Sequence, residues 1–219
     1  MHPTSPVGTF GASPSNILIM QWNDAFSPRQ TALWAGLSLL LMAILAGFSY
    51  GYVLQGLTPA EIPAHEALFR WGLLGWLGIF LLDVLVSWAL YEFFRDTHPA
   101  FARLTAWLRL LYTALLGAAL THLAAVLPAL AAGLDTAYLG ALLGAFEEGW
   151  SLGLIIFGLH LLGLSWLTFR HQSVPNWLGW LVLIAGLGYP LVSISQLLLP
   201  TFEAEVTMLE NVLALPMAA

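Results

Sequence analysis

Along this chain apolar and polar residues do not alternate; the apolar ones run in long blocks. Five blocks reach the roughly 20 residues that a helix needs to cross a hydrocarbon core of about 30 Å. They are Thr31 to Gln55, Ala67 to Phe94, Phe101 to Ala131, Gly149 to Phe169 and Trp177 to Leu199. The third is long enough to tilt or to protrude. A closed barrel would require strands of alternating character, which these blocks lack. The pattern predicts an all-α fold, a polytopic transmembrane helix bundle of five full spans. After Glu205 comes VTMLENVLALPMAA, fourteen residues with an internal Pro216. It is too short to span alone and is expected to form a partial or short sixth helix or to lie along the interface. Residues 1–30 read as a cytoplasmic N-terminal tail, because MHPTSPVGTFGASPSN has no cationic n-region and no long apolar core. Residues 31–219 then make one transmembrane helical domain.

Composition agrees with the pattern: 59% of residues are apolar and 8% charged, and the mean hydropathy is +0.83, outside the soluble range. The absence of cysteine excludes disulfides, thiolate metal sites and cysteine nucleophiles. All six cationic side chains are arginines and the net charge is −6. Such a balance offers neither the basic stripe that a nucleic acid needs nor a polybasic patch for anionic lipid. The arginines do orient the chain, since short loops rich in arginine stay in the cytoplasm. Arg29 precedes the first span, Arg95 and Arg103 bracket the second connection, and Arg170 opens the fourth. The other connections carry Glu61 and Glu66, then Asp135, Glu147 and Glu148, then Glu203 and Glu205. The N-terminus is therefore expected in the cytoplasm.

Lipid gives no hydrophobic drive for helix association, so close backbone approach at small residues must supply contact. Gly47 with Gly51, Gly149 with Gly153, and the series Gly72, Gly75, Gly78 are expected to be contacts within the bundle. Tryptophans Trp34, Trp71, Trp107, Trp166 and Trp177 fall near span ends, where an amphipathic ring sits well. Trp76 and Trp88 lie deeper, packed in the bundle or facing lipid.

The polar residues inside the spans carry the candidate chemistry. His160 lies ten residues before Arg170 and Asp83 twelve before Arg95, about 15 and 18 Å from the cytoplasmic end at 1.5 Å per residue. Their matched depth predicts a direct or water-bridged pair facing the interior. Asp83, Ser87 and Tyr91 form an i, i+4, i+8 stripe, and Arg109, Thr113 and Gly117 form another. Counted from Arg103, Arg109 lies about 9 Å in and leans toward the cytoplasm, which makes Glu92 its easier partner and Asp83 the harder one. An ionisable residue at this depth costs about 2.5 to 3.5 kcal/mol and is by default a functional-site hypothesis. A neutral His160 bonded to a protonated Asp83 would instead be a structural clasp. A second group, His65, Glu66, His122, Glu147 and Glu148, gathers near the opposite span ends and contains residue types that bind zinc, although no HxxxH or HExxH spacing organises it. A bis-histidine haem is disfavoured by the separation in depth of His122 and His160.

No GxSxG, Walker A or GxGxxG motif is present. The first reading is thus a non-catalytic membrane protein, an accessory subunit or a bundle that binds lipid or another apolar molecule. A small proton-linked transporter using Asp83 and His160 is one alternative, and a membrane enzyme with a metal at the His/Glu group is another. No cofactor is expected. Membrane lipids are the expected partners, an apolar small molecule a further candidate, and assembly into a homo-oligomer or a complex stays open.

From about Glu66 to Pro200 the chain resembles the bacterial multi-pass proteins grouped as domain of unknown function 4386. The resemblance rests on LFRWG (68–72), LLD (81–83), ALYEFFR (89–95), LRLLYTALLG (108–117), FGLHLLGLSWLTFR (157–170) and PNWLGWLVLIAGLGY (175–189). It implies that Arg70, Asp83, Arg109, His160, Pro175 and Tyr189 match family motif positions, and it implies no reaction. It also implies a setting in a bacterial inner membrane and a further long apolar helix beyond the position of Pro200.

Overall fold

The computed structural model describes residues 27–198; the segment expected to form a sixth helix and the first 26 residues lie outside them. Within the described residues there are no strands, and five helices are long and apolar enough to cross a membrane. Helix α1 runs Pro28–Ala46 and continues as a π-helix over Gly47–Leu54. A single 3-10 turn, Ile62–His65, leads into α2, Glu66–Phe94. Then follow α3, Pro99–Ala131, α4, Thr136–Arg170, and α5, Asn176–Leu198.

Local chemistry sets the boundaries. Ser27 and Gln30 close a capping box on α1, with Pro28 in its first turn, so Pro28 to Gln30 belong to the helix and not to a tail. The His98 side chain accepts from the Phe101 N–H at 3.2 Å and Pro99 opens α3. At the far end of α3, Gly133 adopts a φ of 71°, and the Gly133 and Leu134 N–H groups return to Leu130 and Ala129, a Schellman ending. The Asp135 carboxylate then accepts from the Tyr138 N–H at 2.8 Å and starts α4.

That cap corrects the fourth span. The expected start at Gly149 is thirteen residues late, and Glu147 and Glu148 stand on a helix and not in a connection. Leu139 and Phe146 are buried and Leu142 and Leu143 half-buried, an i, i+3, i+4, i+7 stripe that holds the early turns against the bundle while both carboxylates face outward. At 35 residues α4 is about 52 Å long, well beyond one hydrocarbon core.

The helices pack in chain order, α1 on α2, α2 on α3, α3 on α4 and α4 on α5. Aromatic side chains also close α2 onto α4. Trp76 of α2 meets Phe146 and Trp150 of α4, with ring centroids 5.0 and 5.1 Å apart. Helices α2, α3 and α4 therefore enclose the core, with α1 and α5 flanking it.

Glycine decides two of these contacts, though not all as expected. A Cβ on Gly72, Gly75 or Gly78 would strike Val53, Ser49 or Leu45, so these glycines form the trough in α2 that receives α1 and its π-helical end. Gly149 and Gly153 likewise face Ala119 and Tyr112 of α3. Gly47 and Gly51 meet nothing within 4 Å. Their expected place in the bundle is wrong because the trough lies wholly on α2: Ser49 and Val53 fill it, which turns the two glycines of the π-helix outward. On the other flank Gly158 admits the Pro190 ring of α5, where a proline has removed a helical hydrogen bond. Among the tryptophans, Trp76 is buried, Trp88 faces outward, and Trp34, Trp71, Trp107 and Trp177 are exposed. Trp166 packs on Phe101 and carries the Arg170 guanidinium 4.2 Å from its ring.

Candidate functional site

Three helices bring their ionisable residues to one point. Asp83 of α2, Arg109 of α3 and His160 of α4 are 0, 2 and 1% exposed, so none is open to the surroundings. Asp83 and His160 do not bond each other; Arg109 stands between them. Its Nη2 donates to Asp83 Oδ1 at 2.5 Å, and its Nη1 faces His160 Nε2 at 3.4 Å. His160 Nδ1 lies 2.9 Å from the Thr105 carbonyl. A carbonyl can only accept, so Nδ1 carries the proton, and Nε2 presents its lone pair to a guanidinium that can only donate. The ring is therefore neutral, and Asp83 with Arg109 forms the one charged pair of the layer.

The expected choice of Glu92 for Arg109 is also corrected. Glu92 pairs with Arg95 three residues on, at 2.6 Å. Arg109 is deeper than a count from Arg103 suggests because α3 begins at Pro99, ten residues earlier, which puts it about 15 Å in, level with Asp83 and His160. Snorkelling would then cost Arg109 its partner.

Around the triad the polar stripes divide their work. Ser87 donates to the Ala106 carbonyl at 2.9 Å and fastens α2 to α3. Thr113 donates back to the Arg109 carbonyl at 2.8 Å. Tyr91 lines a groove on the outer surface. The Phe157 ring covers Arg109 at 5.4 Å and packs on His160, Tyr112 and Tyr189, so Tyr189 borders the site through Phe157. Arg70 does not approach it; it pairs with Glu66 on the exposed first turn of α2 at 2.6 Å. Thr105 and Phe157 were missed as site residues. Thr105 stands one turn before Arg109 on the same face, so extending the Arg109 and Thr113 stripe backward by four residues would have found it.

The triad is not fully satisfied. Asp83 Oδ2, Arg109 Nε and Thr105 Oγ1 are buried without a hydrogen-bond partner. Such atoms in a sealed layer are where an ordered water would find bonding partners.

The His/Glu group near the opposite helix ends does not assemble. His65 turns its Nδ1 to the Glu61 carbonyl at 3.1 Å, Glu66 is taken by Arg70, and His122, Glu147 and Glu148 are exposed. Among the described residues no three His, Asp or Glu side chains converge to hold a metal ion. Nearby, hydrogen bonds from the Thr58 hydroxyl and N–H hold the Glu61 carboxyl below the usual carboxylate range.

A groove of about 370 Å³ lies on the outward side of the α2 and α3 contact. Val84, Trp88, Trp107 and Leu110 form its walls, and Arg103 stands at the end nearest the α2 to α3 turn.

Comparisons with known proteins bear on the whole of this architecture. The family described as Domain of unknown function (DUF4386) matches residues 34–219. An uncharacterized protein of Archaeoglobus fulgidus is 34% identical over 116 residues, 52% of this chain and 61% of that protein. The chain thus spans about three fifths of that relative's length. No solved structure matches.

Proposed function

This chain belongs to the domain of unknown function 4386 family, whose description assigns no activity, and we propose that it is a non-catalytic multi-pass membrane protein that binds lipid or another apolar molecule, alone or as an accessory subunit. The observation that supports this reading is the contrast between its two candidate sites. The ionisable triad is sealed and its charges are spent on each other, so it presents no acid, base or nucleophile to a substrate. The groove between α2 and α3 is open and walled by apolar and aromatic side chains, the lining expected of an apolar ligand site. Its setting would be the plasma membrane with the N-terminus in the cytoplasm, as the arginine asymmetry supports. Mass spectrometry of molecules that co-purify with the full chain tests the proposal. A stoichiometric lipid or apolar compound is expected, and protein carrying none after extraction in a mild detergent would refute it.

A second reading, proton-linked transport, draws support from the unpartnered Asp83 Oδ2, Arg109 Nε and Thr105 Oγ1. Proteoliposomes under a pH gradient would then show flux that Asp83→Asn abolishes in folded protein. Equal fluxes in both would remove this reading.

A further inference from the structure

The groove on α2 and α3 has a polarity along its length. Its floor is the close contact of Ser87 with the Ala106 carbonyl, where small residues let the helices meet and leave a furrow between larger neighbours. The walls are Val84 and Trp88 on one side and Trp107 and Leu110 on the other, all exposed. At one end stand Arg103 and the side chain of Tyr91.

Arg103 differs from the other arginines from α2 onward. Arg70, Arg95 and Arg109 each hold a carboxylate, and Arg170 lies on the Trp166 ring. Arg103 makes no hydrogen bond or ion pair with any described residue and is exposed. It sits four residues into α3, about 6 Å from the helix start and at the level of lipid headgroups. From there to Leu110 is seven residues, about 10 Å, which fits within one leaflet of a core of about 30 Å. A partner helix would press along both leaflets, whereas this furrow serves only one.

We propose that the groove seats one acyl chain of an anionic phospholipid of the leaflet on the arginine-bearing side, its phosphate on the Arg103 guanidinium and the Tyr91 hydroxyl. The proposal rests on the reading of the protein as a lipid or apolar-molecule binder and names the ligand class and the site. Charge complementarity selects the headgroup, because a guanidinium that holds no carboxylate among the described residues attracts a net negative lipid more than a zwitterionic one. A polybasic patch is unnecessary when the acyl chain is held at a fixed place and a single cation reads the head.

Native mass spectrometry of the full chain, extracted from vesicles of equal parts phosphatidylglycerol and phosphatidylcholine with matched chains, tests this. One retained phosphatidylglycerol per chain is expected, favoured about fivefold over phosphatidylcholine, with the preference reduced at high salt. Arg103→Gln should erase the preference while lipid is still retained. Ala106→Leu, which fills the furrow, should lose the lipid, and Trp107→Ala, which opens one wall, should weaken it should the first variant fold poorly. Equal retention of the two lipids by the wild type, or a preference unmoved by Arg103→Gln, would overturn the headgroup assignment. Retention unaffected by both furrow variants would overturn the site while leaving the binding reading standing. Absence of any lipid or apolar compound would defeat that reading itself.

Discussion

Cutting the ion pair at the centre of the bundle should reveal what it contributes. Asp83 and Arg109 are fully enclosed and meet at 2.5 Å, and Arg109 pairs with no other acid among the described residues, so Asp83→Leu strands its guanidinium. Removing one partner of a buried pair costs about 3 to 5 kcal/mol, and a lone charge at mid-membrane costs about 2.5 to 3.5 kcal/mol on the insertion scale. Both routes predict a loss of about 3 kcal/mol or more. Asp83→Asn should be nearly as harmful, because it preserves shape but still leaves Arg109 uncompensated. The double variant Asp83→Leu/Arg109→Leu removes both charges together and should be less destabilised than either single change, with a coupling of about 2 kcal/mol or more. His160→Phe keeps the ring against Phe157 and leaves the Asp83–Arg109 pair in place while losing the bond to the Thr105 carbonyl and the longer one to the Arg109 guanidinium, so about 1 kcal/mol is expected, given that hydrogen bonds in membranes average about 0.6 kcal/mol. Equilibrium unfolding of these four variants and of Arg109→Leu in bicelles, titrated with a denaturing detergent, measures each cost. A cost for Asp83→Leu below about 1 kcal/mol, or a double variant equal to the sum of its singles, would refute the view that charge pairing holds this layer.

Two further predictions concern packing and orientation. Gly75→Ala drives a Cβ into Ser49 and should cost about 1 to 3 kcal/mol, whereas Gly47→Ala, facing open space, should be neutral within about 0.5 kcal/mol; comparable losses in the same unfolding assay would contradict the placement of the trough on α2. Single cysteines at Thr97 and Leu134, the latter chosen to spare the Asp135 cap, should react with a membrane-impermeant maleimide from opposite sides in intact cells and inverted vesicles; labelling of both from outside would reverse or abolish the proposed orientation.

Block hydropathy made the five helices legible because each span must satisfy its own backbone in apolar surroundings, which forces a long continuous signal. It failed at the start of α4, where Glu147 and Glu148 interrupt the run. The cap at Asp135 and the stripe of Leu139, Leu142, Leu143 and Phe146 carried the correct boundary, in a different signal from mean hydropathy. The site was legible by residue and by depth but not by partner. Asp83 and His160 are at matched heights, yet no sequence rule said that α3 would pass between them. Ranking Arg109 with Glu92 followed from measuring its depth at Arg103, whereas Pro99 and the His98 cap mark the true helix start. Glycine motifs were informative where the partner surface was also small or grooved, as for Gly149 and Gly153. They misled at Gly47 and Gly51, because a GxxxG pattern names a smooth face without saying what lies against it.

The triad also bears on what surrounds the molecule. Asp83 and Arg109 stand on consecutive helices joined by a turn of a few residues, so their charges cancel within one helical hairpin, and the third helix adds only a neutral imidazole. At the same depth the outward positions of that hairpin are Leu81, Val84, Leu110 and Leu111, between 40 and 59% exposed. Charge within and leucine without is the reverse of what water selects, since an exposed apolar band is costly there and a paired carboxylate would be better hydrated at the surface. Hydrocarbon selects this arrangement: the outer residues lose nothing by exposure to lipid, and the pair, unable to reach water, is most stable where each charge finds the other. The polar layer therefore supports a bilayer environment independently of hydropathy, through the placement of the residues that hydropathy counts against it.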